Sequence, residues 1–567
     1  MKLLLKKTFR SVFLLLLSVT TLGLQAQSDP TGESAVTRTY AITNATVVQA
    51  PGQEMKEGTI VIKDGLIQAV GSNVNIPADA QVIDAKGMYI YAGFIDGLSN
   101  TGAKRPKAMP RPNNLFTPDP PNDFAGITPE NSVTSQLDIS SSGIESMRKS
   151  GFAISHTVPY GRMLPGSGSL ILLADVDHMD EMIMAKDVVL YSQFSGAPGA
   201  YPNNILGIMA KWRNLYRNAV NHKSHSDMYA SNPTGLPRPS SDRVSQAFFP
   251  VITKEKAVMF DVSSMLDVRR AMRLQNDLGF NLVLAGVEQS WMVIDELKST
   301  GTPIFLGLDL PDEPKDSKDE DKSDEIKSLE ARRTEFYKQH VSQAAELEKA
   351  GIAFGFSTKG TRANKVKGHI MTMIENGLSE NTALAALTTN PASMLGIDKV
   401  AGTVEAGKMA NLIVSTAPYF TKDSQVKMMF VDGDKYEYEV KEKKAKKEKD
   451  ASAEPEASTS SAGGDAIVGS WSFSFTTPGG EQSGKMIIKR EEGAYTGVLT
   501  SDDGSPDNDM NDISYRDGEL SFSFSIDAGG QSVDIVVEGS VEGKNYTAEA
   551  SVAAFNVSFE LTATKDE

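Results

Sequence analysis

Residues 88–103 read MYIYAGFIDGLSNTGA, and the rest of the chain is organised around them. Tyr89, Ile90 and Tyr91 are β-prone, and Ala92-Gly93 breaks the run. Phe94-Ile95-Asp96 is then a short apolar strand ending in a carboxylate. Upstream, residues 37–49, 58–62, 66–70 and 81–84 read as short strands. The breaks at Pro51-Gly52, Lys63-Asp64-Gly65 and Ile76-Pro77 fit hairpin turns between them. Downstream, the pattern changes to strands and helices in alternation. Residues 142–150 predict a helix and 151–158 (GFAISHTV) a strand. AVMFDV (257–262), FNLVLA (280–285), TPIFLGL (302–308) and residues 352–356 predict further strands. Helices are expected at 264–278, 291–299, 328–350 and 366–376. Such alternation predicts a parallel α/β barrel. The Pro- and Asn-rich residues 101–129 read as a long loop over its mouth.

Several of these phrases resemble the amidohydrolase superfamily, in its imidazolonepropionase-like, secreted branch. GTIVIKDGLIQAVG (58–71) followed by AQVIDAKGMYIYAGFID (80–96) is similar to the small β-sandwich ahead of that family's barrel. GTVEAGKMANLIV (402–414) and VKMMFVDGDKYEY (426–438) look like its return from the other end. LSENTALAALTTNPASMLG (378–396) is similar to the closing helices, with Ser379 placed to cap the first and Asn390-Pro391 to break the pair. The resemblance implies an α/β fold: a TIM-like (β/α)₈ barrel over residues 96–401, with a composite β-sandwich from 37–95 and 402–438. Asn411 stands where the family pattern has an Asp.

The same resemblance assigns a site, because a (β/α)₈ barrel works at the C-terminal ends of its strands. The family carries His-x-His after the first strand, histidines after the fifth and sixth, and an Asp after the eighth. Its metal polarises the substrate carbonyl and lowers the pKa of bound water. In this chain those positions fall on Leu98 and Asn100, on Asp261, near Ala285 and near Ser357. Leucine cannot ligate a metal, and an Asn oxygen is a weak zinc ligand. The divalent metal implied by the family therefore lacks its usual ligands. Asp96, Asn100, Asp261 and Ser357 are the positions matching the family site, and Glu288 is a further carboxylate expected at the mouth. A metal, if held, would fall to Asp96, Asp261 and His156.

The chain has six histidines: His156, His178, His222, His225, His340 and His369. His156 is the one expected to reach the mouth. His178 reads as an exposed turn, and His340 and His369 as surface or packing residues of helices. His222 and His225 share a face if helical, and read as a surface pair lacking a third ligand. The glycine-rich PGSGS (165–169) precedes an apolar strand, so it reads as a barrel loop and a poor phosphate cradle.

The ends and the composition narrow the setting. Residues 1–26 form a signal peptide: Lys2, Lys6, Lys7 and Arg10, an apolar run, then Leu24-Gln25-Ala26 as the cleavage site. That run is short of the ~20 residues a membrane span needs, so a periplasmic or secreted protein without a spanning segment is expected. Zero cysteines among 567 residues exclude a disulfide framework and a thiolate nucleophile. A net charge of −16 argues against nucleic acid as a partner. Residues 311–327 are a charge-rich insertion read as a solvated loop, and 439–465 a disordered linker. Residues 466–567 alternate polar and apolar residues in WSFSF, KMIIKR, YTGVLT, ELSFSFSI, SVDIVVEGSV and VSFELTA, which predicts a small β-barrel or sandwich. Around Gly469-Ser470-Trp471 it resembles lipocalin-like modules.

Two functions fit. In one, the protein is a pseudoenzyme that binds an amide-like ligand or an active amidohydrolase partner. In the other, it hydrolyses small or cyclic amides with a carboxylate-based or metal-independent site.

Overall fold

The computed structural model describes residues 38–106, 111–112, 114–314, 323–440, 467–477, 480–491, 494–502, 507–516, 518–527, 532–552 and 557–566. The expected signal peptide, most of the linker and part of the charged insertion lie outside the described residues. The chain divides into two compact units at residues 443/444.

In the first unit, strands β1 (Tyr40–Ala50), β2 (Gln53–Lys63), β3 (Leu66–Gly71), β4 (Gln81–Asp84) and β5 (Tyr89–Ala92) come from one end of the chain. Strands β14 (Leu412–Ser415), β15 (Val426–Val431) and β16 (Asp434–Glu437) come from the other. They join where β14 pairs antiparallel with β5, Leu412 opposite Ala92. The expected two-layer sandwich is instead one continuous eight-stranded sheet, because β1 pairs with β2, β4 and β5 in turn. Ile42, Ile60, Ile90, Leu412 and Phe430 fill a core of its own. Asn411 has a structural task there: its Oδ1 accepts from the Asp432 N–H at 2.8 Å.

The second sheet is a nearly closed, mostly parallel barrel. Its strands are β6 (Phe94–Ser99), β7 (Phe152–Thr157), β8 (Gly166–Leu172), β9 (Ile183–Gln193), β10 (Ala257–Asp261), β11 (Leu282–Val287), β12 (Ile304–Gly307) and β13 (Gly355–Ser357). The (β/α)₈ expectation needs correction at β8, which runs antiparallel to both neighbours. No helix separates β7 from β8, so the chain turns straight back and eight parallel βα repeats are not completed. Helices Met265–Leu278, Ile294–Thr300 and Asp324–Ala350 cross between the later parallel strands. The first starts where Ser264 accepts the Asp267 N–H, and it buries Val268, Ala271, Met272 and Leu274 at helical spacing. Strand-to-strand hydrogen bonds stop at the β6–β13 seam, which is closed by other means described below.

Two expected breaks also move. The end of the charged insertion is helical, since Ser323 caps a helix whose first turn carries Asp324 and Glu325. Pro391 lies inside the helix Thr389–Met394, in the first turn where its missing N–H costs nothing, and the break falls at Thr388.

The second unit is a closed eight-stranded antiparallel barrel running from Gly469–Thr477 to Val557–Lys565. Its last strand pairs with its first, Trp471 opposite Lys565. Trp471, Met486, Leu520, Phe522, Val537 and Tyr546 pack its interior. Trp471 and Tyr546 each place their polar atom on a backbone carbonyl, of Ile467 and Leu520, both at 2.9 Å.

Candidate site at the barrel mouth

Strand β6 is buried throughout, and its two faces have different neighbours. Leu98 points into the barrel with Val158, Val189, Tyr191, Met259, Val283, Ala285 and Phe305, a compact apolar plug. Phe305 fits because two strands present glycine to it. A Cβ at Gly97 would lie 2.0 Å from its ring, and one at Gly355 2.6 Å. The interior of the barrel at the level of Leu98 is filled with hydrocarbon.

Asp96 has no solvent exposure. Its Oδ1 accepts the N–H of Leu98 at 3.2 Å and of Thr358 at 3.1 Å, and its Oδ2 accepts the Thr358 hydroxyl. Burial pushes its pKa up to about 7, against the pull of these bonds. Ser357 is equally buried and donates to the Leu98 carbonyl at 2.9 Å. The Lys359 N–H donates to the same carbonyl at 3.1 Å. Asp96, Thr358, Ser357 and Lys359 thus tie β6 to the end of β13, across the seam. Asn100 spends its amide on the Val158 carbonyl at 2.8 Å.

Of the four residues matching the family site, only Asp261 stands in a cluster of polar groups at the mouth. Its Oδ2 takes the Lys359 ammonium at 2.6 Å and the Tyr191 hydroxyl at 2.8 Å. Burial, then the Asp261 charge, raises the tyrosine pKa well above its ordinary value, so it remains a donor. Beyond β11, Glu288 is pushed up to about 7 by burial and by the charges of Asp309 and Asp261. Asp309 is itself raised by burial, with His369 and Lys365 pulling the other way. At neutral pH Glu288 can both give and take a proton, the poise required of a general acid–base.

Lys359, Tyr191 and Asp309 were not singled out in the sequence. Lys359 had one usable signal, its place two residues beyond Ser357 on the last strand. Its reach across the barrel to Asp261 is a tertiary fact.

The metal trio expected from the sequence does not assemble. Among the described residues no three His, Asp or Glu side chains are grouped to hold a metal. His156 is fully buried, donates from Nδ1 to the Gly97 carbonyl at 2.9 Å, and leaves Nε2 without a partner. A Cβ at Gly168 would sit 2.6 Å from Nε2, so the ring is enclosed by the wall. Burial lowers its pKa to about 4, partly offset by the Gly97 bond, and it is neutral at ordinary pH. His222 sits on the helix Ile205–Ser231, its Nε2 on the Ser240 carbonyl at 2.9 Å. The donor set present does not fit the family's metal.

Residues 314–435 match the model of the amidohydrolase family. The match runs from the approach to β13, through the closing helices, to the returning strands, and leaves out β6 to β12. Among solved structures, the amidohydrolase from Thermotoga maritima superposes with a TM-score of 0.58 at 21% identity, over 70% of this chain and 100% of that one. A Xaa-Pro dipeptidase with bound methionine in its active site aligns over 70% of this chain and 100% of that one, at 13% identity and a TM-score of 0.42. No curated protein matches the chain in sequence. The fold of the first unit is that of an amidohydrolase.

Proposed function

We propose that this protein is an amidohydrolase-fold pseudoenzyme, which binds a small amide-like ligand or an active amidohydrolase partner at the barrel mouth. One observation carries the reading: Leu98, Ala285 and Phe305 fill the barrel where metal donors would stand. A packed apolar layer supplies neither ligands nor water to activate. Above it, the Lys359–Asp261–Tyr191 cluster and the proton held by Glu288 suit an amide, which both donates and accepts hydrogen bonds. Secretion through residues 1–26 belongs to the same proposal, as does the lipocalin-like kinship of the C-terminal barrel. The filled interior of that barrel argues for a packing module over a ligand cup. Among the described residues no helix is long and apolar enough to cross a membrane.

The pKa of Glu288 favours a second reading, hydrolysis without metal. Glu288 would take the proton of an attacking water and return it to the leaving amine as the carbon–nitrogen bond breaks, and Lys359 would steady the oxyanion between the two steps. Elemental analysis after dialysis against zinc and manganese, with turnover of small and cyclic amides, separates the readings. The first expects no stoichiometric metal and no turnover above buffer. Turnover without metal, lost in Glu288→Gln, would establish the second, and stoichiometric metal would sink both.

A further inference from the structure

An open pocket lies on the outer wall of the same barrel, about 280 Å³ in volume, with Glu130, Ser167, Asp187, Arg243 and Lys256 in its lining. It exists because β8 is entered and left by antiparallel turns, so no long crossover helix covers its outer face. The β8–β9 pairing also slips: Gly168 faces Val189, but Leu170 faces Ala185. The extra residues make a bulge at Asp187, whose φ of 52° is a left-handed conformation uncommon outside glycine. Bulges of this kind re-aim a side chain, and here the Asp187 N–H is fixed on the Ser169 hydroxyl at 3.0 Å.

The carboxylate so aimed is incompletely used. Neither oxygen of Asp187 has a hydrogen-bond partner among the described residues: Oδ1 is shut off from solvent, and Oδ2 is the one a guest can reach. Across the pocket, the Lys256 ammonium is half-buried and donates to the Ser167 hydroxyl at 3.3 Å. Burial lowers its pKa and the Asp187 charge opposes that, so the two groups sense each other. Yet no ion pair within 4.0 Å joins them, and Arg243 at the rim is in no ion pair among the described residues. A half-buried acid and base that line one small pocket without meeting each lack a counter-charge. A guest with both charges supplies both.

We infer that this pocket binds a small zwitterion, a free α-amino acid, with its ammonium on Asp187 and its carboxylate on Lys256 and Arg243. The volume, just under the usual ~300–1,000 Å³ of ligand pockets, limits the guest to a small side chain. The site is separate from the barrel mouth and does not depend on what the mouth does.

Titration calorimetry on the full chain tests it, with glycine, L-alanine, L-serine and L-proline as probes, and ethylamine and acetate as single-charge controls. The expected result is binding of at least one amino acid, at least tenfold weaker for either control. Asp187→Asn keeps the left-handed backbone, which Asn tolerates, and should weaken binding at least tenfold. The exposed Arg243→Gln, which removes no buried contact, should weaken it severalfold. No binding by any of the four amino acids would overturn the inference. So would binding that both variants, checked as folded by circular dichroism, leave unchanged.

Discussion

The chain builds an eight-stranded barrel twice, and the two are closed differently. The C-terminal barrel is closed by backbone: every strand pairs with its neighbours, and the last with the first. The first barrel runs its ladder only from β6 to β13 and closes the remaining seam mainly with side chains, chiefly Asp96 on Thr358, beside one backbone bond from Lys359 to Leu98. A backbone closure is indifferent to most substitutions and to pH. A side-chain closure is not. In the first barrel one ring of the apolar plug, Phe305, is locked against two glycines, so that a change at any of the three is felt by the others. The seam of the barrel that carries the candidate site therefore depends on few residues.

The comparison breaks most sharply at Phe305. Phe305→Ala should cost about 3–5 kcal/mol, the usual range for a buried aromatic cut to alanine. Hydrogen exchange should rise across β6, β12 and β13 while the C-terminal barrel stays protected. Equal loss of protection in both barrels would mean that the two do not unfold separately.

The seam gives a pH signature. Asp96 is raised from 3.8 to about 7, so its contribution to stability is full below about 3.8 and is lost as pH rises to about 7. His156 is lowered from 6.5 to about 4, so its contribution is full above 6.5 and is lost as pH falls to about 4. Between about 4 and 6.5 the two oppose, and urea unfolding of the natural protein should vary little from these groups. Asp96→Asn removes one of them. Its stability should climb with pH across that window by roughly 3 kcal/mol, since each tenfold change in proton affinity is worth ~1.4 kcal/mol. A variant as flat as the natural protein would show that the carboxyl is not held protonated by its burial.

The smallest effect belongs to the rim. Lys359→Met removes a partly exposed ion pair but leaves the lysine backbone bond to Leu98, so its stability cost should stay within about 1 kcal/mol. Its cost to amide binding at the mouth, read by calorimetry, should be tenfold or more. A variant that melts like the Phe305 one would place Lys359 in the closure, not in the site.

Much of the barrel was legible from strand ends. Asp96, Asp261 and Ser357 lie on β6, β10 and β13, the first, fifth and eighth strands around the sheet, because apolar runs bounded by helix caps locate parallel strands well. The direction of β8 was not legible, since an apolar run such as SLILL reads the same either way. The helix Ile205–Ser231 escaped because its buried residues, Ile208 to Ala219, occupy only its first half. At the site, the sequence shows directly that Leu98 cannot ligate a metal and that Asn100 is a weak zinc ligand. The polar cluster at the mouth could not be read, because the Lys359–Asp261 bond joins residues 98 positions apart.

The interlock of Phe305 with Gly97 and Gly355 also constrains history. A side chain cannot appear at either glycine while the ring is in place, and histidines set at positions 98 and 285 would meet hydrocarbon on every side. In any lineage carrying all three residues, the order in which they can change is therefore set. A bulkier residue at position 97 or 355 would require shrinking the ring first, and that step by itself brings only instability.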